Sequence, residues 1–312
     1  MEKTDLLAVG LTTLDISVRP VEALPAVDEG TLVENITLTP AGTAAAAAAV
    51  GARLGLKAAL ASAVGNDLQG EAVRSGLEKL GVDTSLLATD PTFPTSTTLL
   101  PVRADGQRST LHMVGASVLS PVPEEAFARL PHTRAVHWGG IGYPGPQARA
   151  VEFLQQAKAN GAFVTCDLIS PSPSAIEELA TLLPHVDLFM PSLAEVQVLT
   201  GSDDLEAAAR RFMALGAGGC AFKLGRSGAT LFTPGGQWQA PAFRIDPVDT
   251  TSCGDSFCAG FIAARLRGFD EAACLRFAVA VSARVALGLG TLGGLESFDQ
   301  TLAFADSTPV VL

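Results

Sequence analysis

The stretch "VDTTSCGDSFCAG", Val248 to Gly260, sets a carboxylate, Asp255, where a polar loop of small residues turns into an apolar run. The following "FCAGFIAARLRG" has the spacing of a helix with an apolar stripe and closes on Gly268. The first turn of such a helix presents backbone N–H groups without intrahelical partners, and the helix dipole adds positive potential there. An anion is welcome at that point, and Gly254 lets it come close to the backbone. Asp255 can therefore cap the helix or act as a base beside a bound anion. Capping alone does not account for the small residues ahead of it. A second candidate is "TPAGTAAAAAAVGARLG", 39–55. Its alanines read as a helix packed tightly on a sheet. Ala41, Gly42 and Thr43 precede that helix, where exposed N–H groups could bind a ligand hydroxyl.

The rest of the chain has to position these residues. Short apolar runs alternate with amphipathic ones: "DLLAVGL" (strand), the alanine helix to Gly55, "KAALASAVG" (strand) and "LQGEAVRSGLEKLG" (helix). The rhythm continues with "AVHWGG", "PQARAVEFLQQAKANG", "AFVTCDL", "SAIEELATLLP", "DLFMPS" and "LAEVQVLTG". Continuous apolar strands with intervening helices predict an α/β fold, a doubly wound, mostly parallel sheet with helices on both faces. Residues 12–39 and 95–115 break the rhythm with alternating, hairpin-like strands, and Asp105–Gly106 is a turn signal. They predict a small second sheet lying over one edge of the core as a lid. No composition break marks a linker, so residues 1–312 are expected to form one domain.

Other chemistries find little support. A net charge of −11 without a basic stripe argues against a nucleic-acid partner. No apolar run reaches the roughly 18 residues that span a bilayer. The start "MEKTDLLAVGL" lacks a secretion signal, and five cysteines without a CxxC pair read as reduced thiols, so the expected location is cytoplasmic. Walker-type GxxxxGK[ST] and GxSxG motifs are absent, and the four histidines are not spaced as metal pairs. "GLGTLG" (288–293) follows a helix rather than a strand, whereas "GIGYPG" (140–145) follows a strand and precedes a helix. The latter keeps a dinucleotide-binding oxidoreductase as an alternative. Cys253, at a helix N-terminus where a thiolate is favoured, is either a reactive thiol or a small inert residue.

Several pieces, in order and spacing, resemble the ribokinase-like (PfkB) carbohydrate kinases. "DTTSCGDSF" (249–257) resembles that family's second signature, usually DTTGAGDxF. "AGTAAAAAAVGARLG" (41–55) resembles its first. "VGNDLQGEAVRSGLEKLGVDTS" (64–85), "PSLAEVQVLTG" (191–201) and "FKLGRSGATLF" (222–232) are similar to its GxDxxG, NxxE and KxGxxG stretches. The second signature is specific; the others are weak singly, but together they span nearly the whole chain.

The resemblance implies a ribokinase-like fold with a lid and transfer of the γ-phosphoryl group of ATP, with Mg2+, to a primary hydroxyl of a small sugar or polyol. By the same resemblance Asp255 is the general base, and the amides of Ser252, Cys253, Gly254 and Asp255 form an anion hole. Lys223, Gly225 and Gly228 lie near ATP, and Glu195 holds Mg2+ through water. Asp15, at the lid hinge, joins Gly42, Thr43 and position 46 on the substrate side. The plainer readings are a strand end and turn for 223–228, a solvated cap for Glu195 and a turn residue for Asp15. A monovalent-cation requirement stays open, and a homodimer through the lid is implied by resemblance only. Departures are specific: Ala41 for Gly, Ala46 for a sugar-gripping Asn, Ser192 for Asn, "DLI" (167–169) for D-P-N, and Ser252 and Cys253 for Gly and Ala. No arginine follows "DLI", which argues against a sugar acid. Ala46 offers no hydrogen bond, so free ribose and fructose are expected to be poorer substrates than deoxy sugars or nucleosides. A nucleoside kinase and an inactive sugar-binding protein are the alternatives.

Overall fold

The computed structural model describes residues 3–141, 149–169 and 172–311. Nine strands form one sheet in the order β13-β12-β11-β10-β9-β8-β1-β4-β5. From one edge these are β13 (Gly236–Ala240), β12 (Ala229–Thr233), β11 (Cys220–Lys223), β10 (Leu188–Phe189), β9 (Phe163–Leu168), β8 (Thr133–Ile141), β1 (Thr4–Gly10), β4 (Ala58–Gly65) and β5 (Leu87–Asp90). Pairing is parallel from β5 through to β11 and antiparallel in the β11–β12–β13 edge. The apolar runs become central strands because both their faces are covered, as parallel sheets require.

One face carries α1 (Thr43–Arg53), α2 (Leu68–Lys79), α9 (Cys253–Leu266), α10 (Glu271–Ala286) and α11 (Phe298–Ser307) over Leu6, Ala8 and Leu60. The other carries α4 (Glu124–Arg129), α5 (Ala150–Ala159), α6 (Ala175–Leu182), α7 (Leu193–Thr200) and α8 (Leu205–Ala214) over Val136, Val164 and Phe222. A one-turn helix, α3 (Ala116–Leu119), lies near β4. In α1 the residues from Ala44 through Gly51 are buried. A Cβ at Gly51 would stand 2.8 Å from a Leu6 methyl, so small residues let α1 and α9 sit close on the sheet.

The second sheet has the order β3-β2-β6-β7, with β2 (Thr13–Arg19), β3 (Asn35–Ala41), β6 (Thr97–Pro101) and β7 (Leu111–Met113). These match the two stretches that broke the helix–strand rhythm, with β3 running two residues past the first. Gly106 turns the β6–β7 connection at φ +83, donating its N–H to the Arg103 carbonyl, as the Asp-Gly signal predicts. Alternation gives this sheet two unlike faces. Asp15, Thr39, Thr98 and His112 stand at neighbouring register positions on one face, and Ile16, Leu38, Leu99 and Leu111 on the other. The helices α3, α4, α8 and α11 and the strand β5 were not anticipated. Only one residue of β5 is buried, so it carries almost no period-two signal.

Candidate active site

Helix α9 begins where the sequence places it, and the loop before it is tied down by a residue the sequence reading gave no role. Asp249 is buried; Oδ1 accepts the Thr251 N–H at 2.8 Å and the Thr251 hydroxyl at 2.6 Å. Oδ2 accepts the Gly290 N–H at 2.9 Å, which joins the loop to the turn after α10. An Asp two residues before a Thr is a local turn-forming pattern, and that was the available signal. The "GLGTLG" stretch serves this anchoring. A Cβ at Gly293 would fall 1.7 Å from the Val285 carbonyl oxygen, and Thr291 donates to the Pro40 carbonyl of β3 at 2.7 Å. Of "GIGYPG", all but Gly140 and Ile141 lies outside the described residues.

Ser252 caps α9 with φ +55 and ψ 11, left-handed backbone that costs a non-glycine residue about 1–2 kcal/mol. The family's usual glycine at this position thus has a conformational reason, and the serine pays a small strain. The Cys253 amide makes a long bond of 3.4 Å to the Thr250 carbonyl. The amides of Ser252, Gly254 and Asp255 have no partner among the described residues. The four amides expected to receive an anion thus stand together at one helix start, and that of Cys253 is the least free of them. Its side chain is not an activated thiol: burial pushes it up to about 12, and Sγ points to the Ser282 carbonyl at 3.6 Å. The thiolate favoured by a helix N-terminus is overruled by desolvation.

Asp255 is partly buried in the first turn of α9, and no backbone N–H of the described residues donates to its carboxylate. Its capping role is therefore confined to the helix dipole. Burial pushes its carboxyl up to about 6; Lys223 opposes the shift, Asp15 and Glu195 add to it by repulsion, and a hydrogen bond from Ser252 opposes it. Asp15 is buried on β2 and accepts a hydrogen bond from Thr13 at 2.7 Å. Burial raises its pKa as well. Asp15 and Asp255 thus come from the lid and from α9 to within electrostatic reach of one another.

Behind Asp255 lies a buried ion pair. Lys223, ending β11, donates to Asp167 Oδ2 at 2.5 Å, with side chains 13% and 3% exposed. Burial alone would lower the Lys223 pKa; the Asp167 carboxylate holds it raised, so the lysine stays charged. Of the two glycines after it, Gly228 (φ +89) is needed by the hairpin, because a Cβ there would lie 2.0 Å from the Ala240 carbonyl oxygen. Gly225 (φ +56) faces open space, and its left-handed backbone is what favours glycine there. Glu195 forms a capping box with Ser192: the Ser192 N–H donates to Oε2 at 2.5 Å and the Glu195 N–H to the Ser192 hydroxyl at 3.3 Å. Serine in place of Asn is the capping residue of α7. One Glu195 oxygen stays outside that box. Among the described residues no three His, Cys, Asp or Glu side chains gather as a metal cage. The Glu195 carboxylate lies within electrostatic reach of Asp167 and Lys223.

The first-signature residues behave less like a ligand site than expected. The Leu11 carbonyl accepts the Ala44 and Ala45 N–H groups at 3.1 and 3.4 Å, so those amides of α1 are already spent. Gly42 has φ +94, and a Cβ there would lie 2.6 Å from the Leu11 oxygen. The Thr43 hydroxyl donates to the Gly139 carbonyl at 2.5 Å and fastens α1 to β8. Ala46 is fully buried. His137 is a core residue at 0% exposure, 2.9 Å from the Thr165 hydroxyl, and burial lowers its pKa to about 3.

Comparison with known proteins agrees with this geometry. Residues 3–297 match the model of the pfkB family of carbohydrate kinases. The chain is 30% identical over 296 residues to a nucleoside kinase of Methanothermobacter thermautotrophicus, covering 93% of this chain and 92% of the relative. It is 27% identical over 266 residues to a deoxyribokinase of Salmonella typhi, covering 83% and 85%. Arabidopsis thaliana ribokinase, solved with ribose and ATP, superposes with a TM-score of 0.82 at 25% identity, covering 98% and 99%. With a family match of that extent laid over the lid, the α9 loop and the flanking sheet, the chain belongs to the pfkB family of carbohydrate kinases.

Proposed function

We propose that this kinase transfers the γ-phosphoryl group of ATP to a primary hydroxyl of a small sugar or a nucleoside, with the 312 residues acting as one lidded domain. The observation that carries the reading is the juxtaposition at the start of α9. Unpartnered amides of Gly254 and Asp255 stand next to a carboxylate whose burial raises its proton affinity to about 6. The substrate oxygen attacks the γ-phosphorus, the bond from that phosphorus to the bridging oxygen of ADP breaks, and the hydroxyl proton passes to Asp255. The amides and Lys223 face the charge on the moving group. Glu195 would hold Mg2+ through water, and the ion would supply further neutralisation of phosphate charge. Gly225 and Gly228 line the nucleotide side. Asp15 orients the acceptor from the lid, beside Gly42 and Thr43, with the fully buried Ala46 behind them.

With Ala46 buried and unable to hydrogen-bond, and the Ala44 and Ala45 amides already bonded to Leu11, α1 offers an acceptor few partners, which supports a substrate with little polarity on that side. Loss of one hydrogen bond costs about 0.5–1.5 kcal/mol, roughly two- to tenfold in affinity. The test is kcat/KM across ribose, fructose, deoxyribose and nucleosides at fixed ATP and Mg2+. Deoxyribose or a nucleoside should rank first. Ribose or fructose ranking first would remove Ala46 from the specificity argument, and absence of transfer to every acceptor would favour the inactive sugar-binding alternative. Omission of K+ and Na+ from the same assay tests the monovalent-cation requirement.

We also propose that two chains pair through their lids. Ile36 and Leu38 of β3 and Leu111 and Met113 of β7 are between 45% and 59% exposed, on a sheet whose opposite face is polar. A sheet that turns apolar side chains outward needs a partner.

A further inference from the structure

Lys223 has its ammonium in an unusual position for a residue that only closes a strand. A Cβ placed on Gly254 would lie 3.3 Å from Nζ and 3.9 Å from Cε, so the ammonium lies against the second residue of α9. That residue is also one of the unpartnered amide donors. Asp167 is the only hydrogen-bond partner of Nζ among the described residues, which leaves two of its three N–H groups unused in a nearly buried position. Asp167 in turn is fixed from three sides. Oδ1 accepts the Leu168 N–H at 2.9 Å, and Oδ2 accepts Lys223 and the Cys258 thiol, the latter at 3.4 Å. The pair reaches across the two-residue strand β10, from the end of β9 to the end of β11. A buried ion pair is weak evidence for stability, because desolvation offsets most of its attraction. Its orientation is the informative feature: one ammonium face on Asp167, the others beside Gly254.

We infer that Asp167 is a positioning residue that holds Lys223 against Gly254, so that the ammonium adds a fixed positive charge to the amides receiving the transferred phosphoryl group. The inference deepens the kinase reading above and rests on it. Lys223 then acts at the γ-phosphoryl end of ATP rather than along the nucleotide in general. Asp167 acts only through Lys223. The bond changes are those already written; the ion pair neither gains nor loses a proton.

The experiment is a double-mutant cycle on the full chain. It reads kcat with the best acceptor, and affinity by calorimetry for ADP and for a non-hydrolysable ATP analogue. Lys223→Met should lower kcat about 10²–10³-fold, the usual loss for one charge-stabilising donor. It should weaken the ATP analogue about tenfold while ADP stays within threefold. Asp167→Asn should lower kcat at least tenfold, because the untethered ammonium leaves Gly254. Lys223→Met/Asp167→Asn should match Lys223→Met within threefold, since Asp167 has nothing left to position. The double variant leaves neither member of the ion pair as an uncompensated charge, so it keeps the test readable if a single variant fails to fold. Kinetics of the double variant near wild type, or equal loss of ADP and ATP-analogue affinity in Lys223→Met, would make the pair structural and overturn the inference alone. A wild type that transfers no phosphoryl group to any acceptor would overturn the kinase reading, and this inference with it.

Discussion

Asp255 can serve as a base near neutral pH because its surroundings penalise its charge. Burial is the largest contribution, and Asp15 and Glu195 add repulsion. Two outcomes follow at the scale of this residue. First, kcat/KM should fall about tenfold per unit as pH drops below about 6, because the protonated carboxyl cannot take the hydroxyl proton. Asp255→Asn should lower kcat about 10²–10⁴-fold and lose this acid limb, while binding of the ATP analogue persists. More than half the wild-type kcat in that variant would refute the assignment. Second, a carboxyl whose folded-state pKa is above its unfolded value destabilises the fold once ionised. Its neutral form is the better-tolerated one, and the stability associated with it is lost as pH rises through about 6. Asp255→Asn should therefore melt higher than wild type at pH 7–8, by about 1–3 kcal/mol of stability. That advantage should shrink toward pH 4, and a melting curve at each pH checks it.

The α9 loop is set by backbone conformation at one residue and by anchoring at another. Ser252 sits at φ +55, where a β-branched side chain clashes with its own backbone. Ser252→Val should cost about 1–2 kcal/mol or more and lower kcat at least tenfold, because the amides that follow it are re-aimed. Ser252→Gly should keep kcat within about threefold and leave stability within about 1 kcal/mol, since relief of strain offsets the added freedom of the unfolded chain. Thermal melts and kcat measured on both variants distinguish this from a role for the hydroxyl itself. If Val and Gly behaved alike, the left-handed backbone would not be what the loop depends on. Asp249 works at the same scale, since its two oxygens tie the loop to Thr251 and to Gly290 after α10.

Over the whole molecule, the sheet delivers α9, β9 and β11 to one end, and the lid arrives from the β1 side. Asp15 on β2 of the lid and Asp255 on α9 come within electrostatic reach of one another although 239 residues of chain lie between them. The polar inner and apolar outer faces of the lid predict that the molecule is a dimer at micromolar concentration. Leu38→Lys with Met113→Lys should shift it to monomer in light-scattering measurements. Both side chains are exposed, 55% and 45%, so folding should survive the change. A wild type that is monomeric at all accessible concentrations would reject the lid interface.

Much of this protein is legible without coordinates, for a physical reason. Strands buried on both faces must be apolar throughout, helices must show their stripe, and a helix start left open to an anion must be built of small residues. Hence "DLLAVGL", "AFVTCDL" and "TTSCGDSF" declare their roles locally. The two stretches with period-two alternation likewise announce the lid. Partnerships between distant residues are decided by the tertiary structure. Asp167 and Lys223 are 56 positions apart, and only the placement of β9, β10 and β11 side by side turns two strand ends into an ion pair under Gly254. Cys253 carries the local signature of an activated thiol, yet burial against α10 pushes it up to about 12. Thr43 looks available to a ligand until β8 supplies the Gly139 carbonyl that takes its hydroxyl. Local chemistry is written in residue type and spacing. Charge state and hydrogen-bond availability depend on what the rest of the chain brings within a few ångströms.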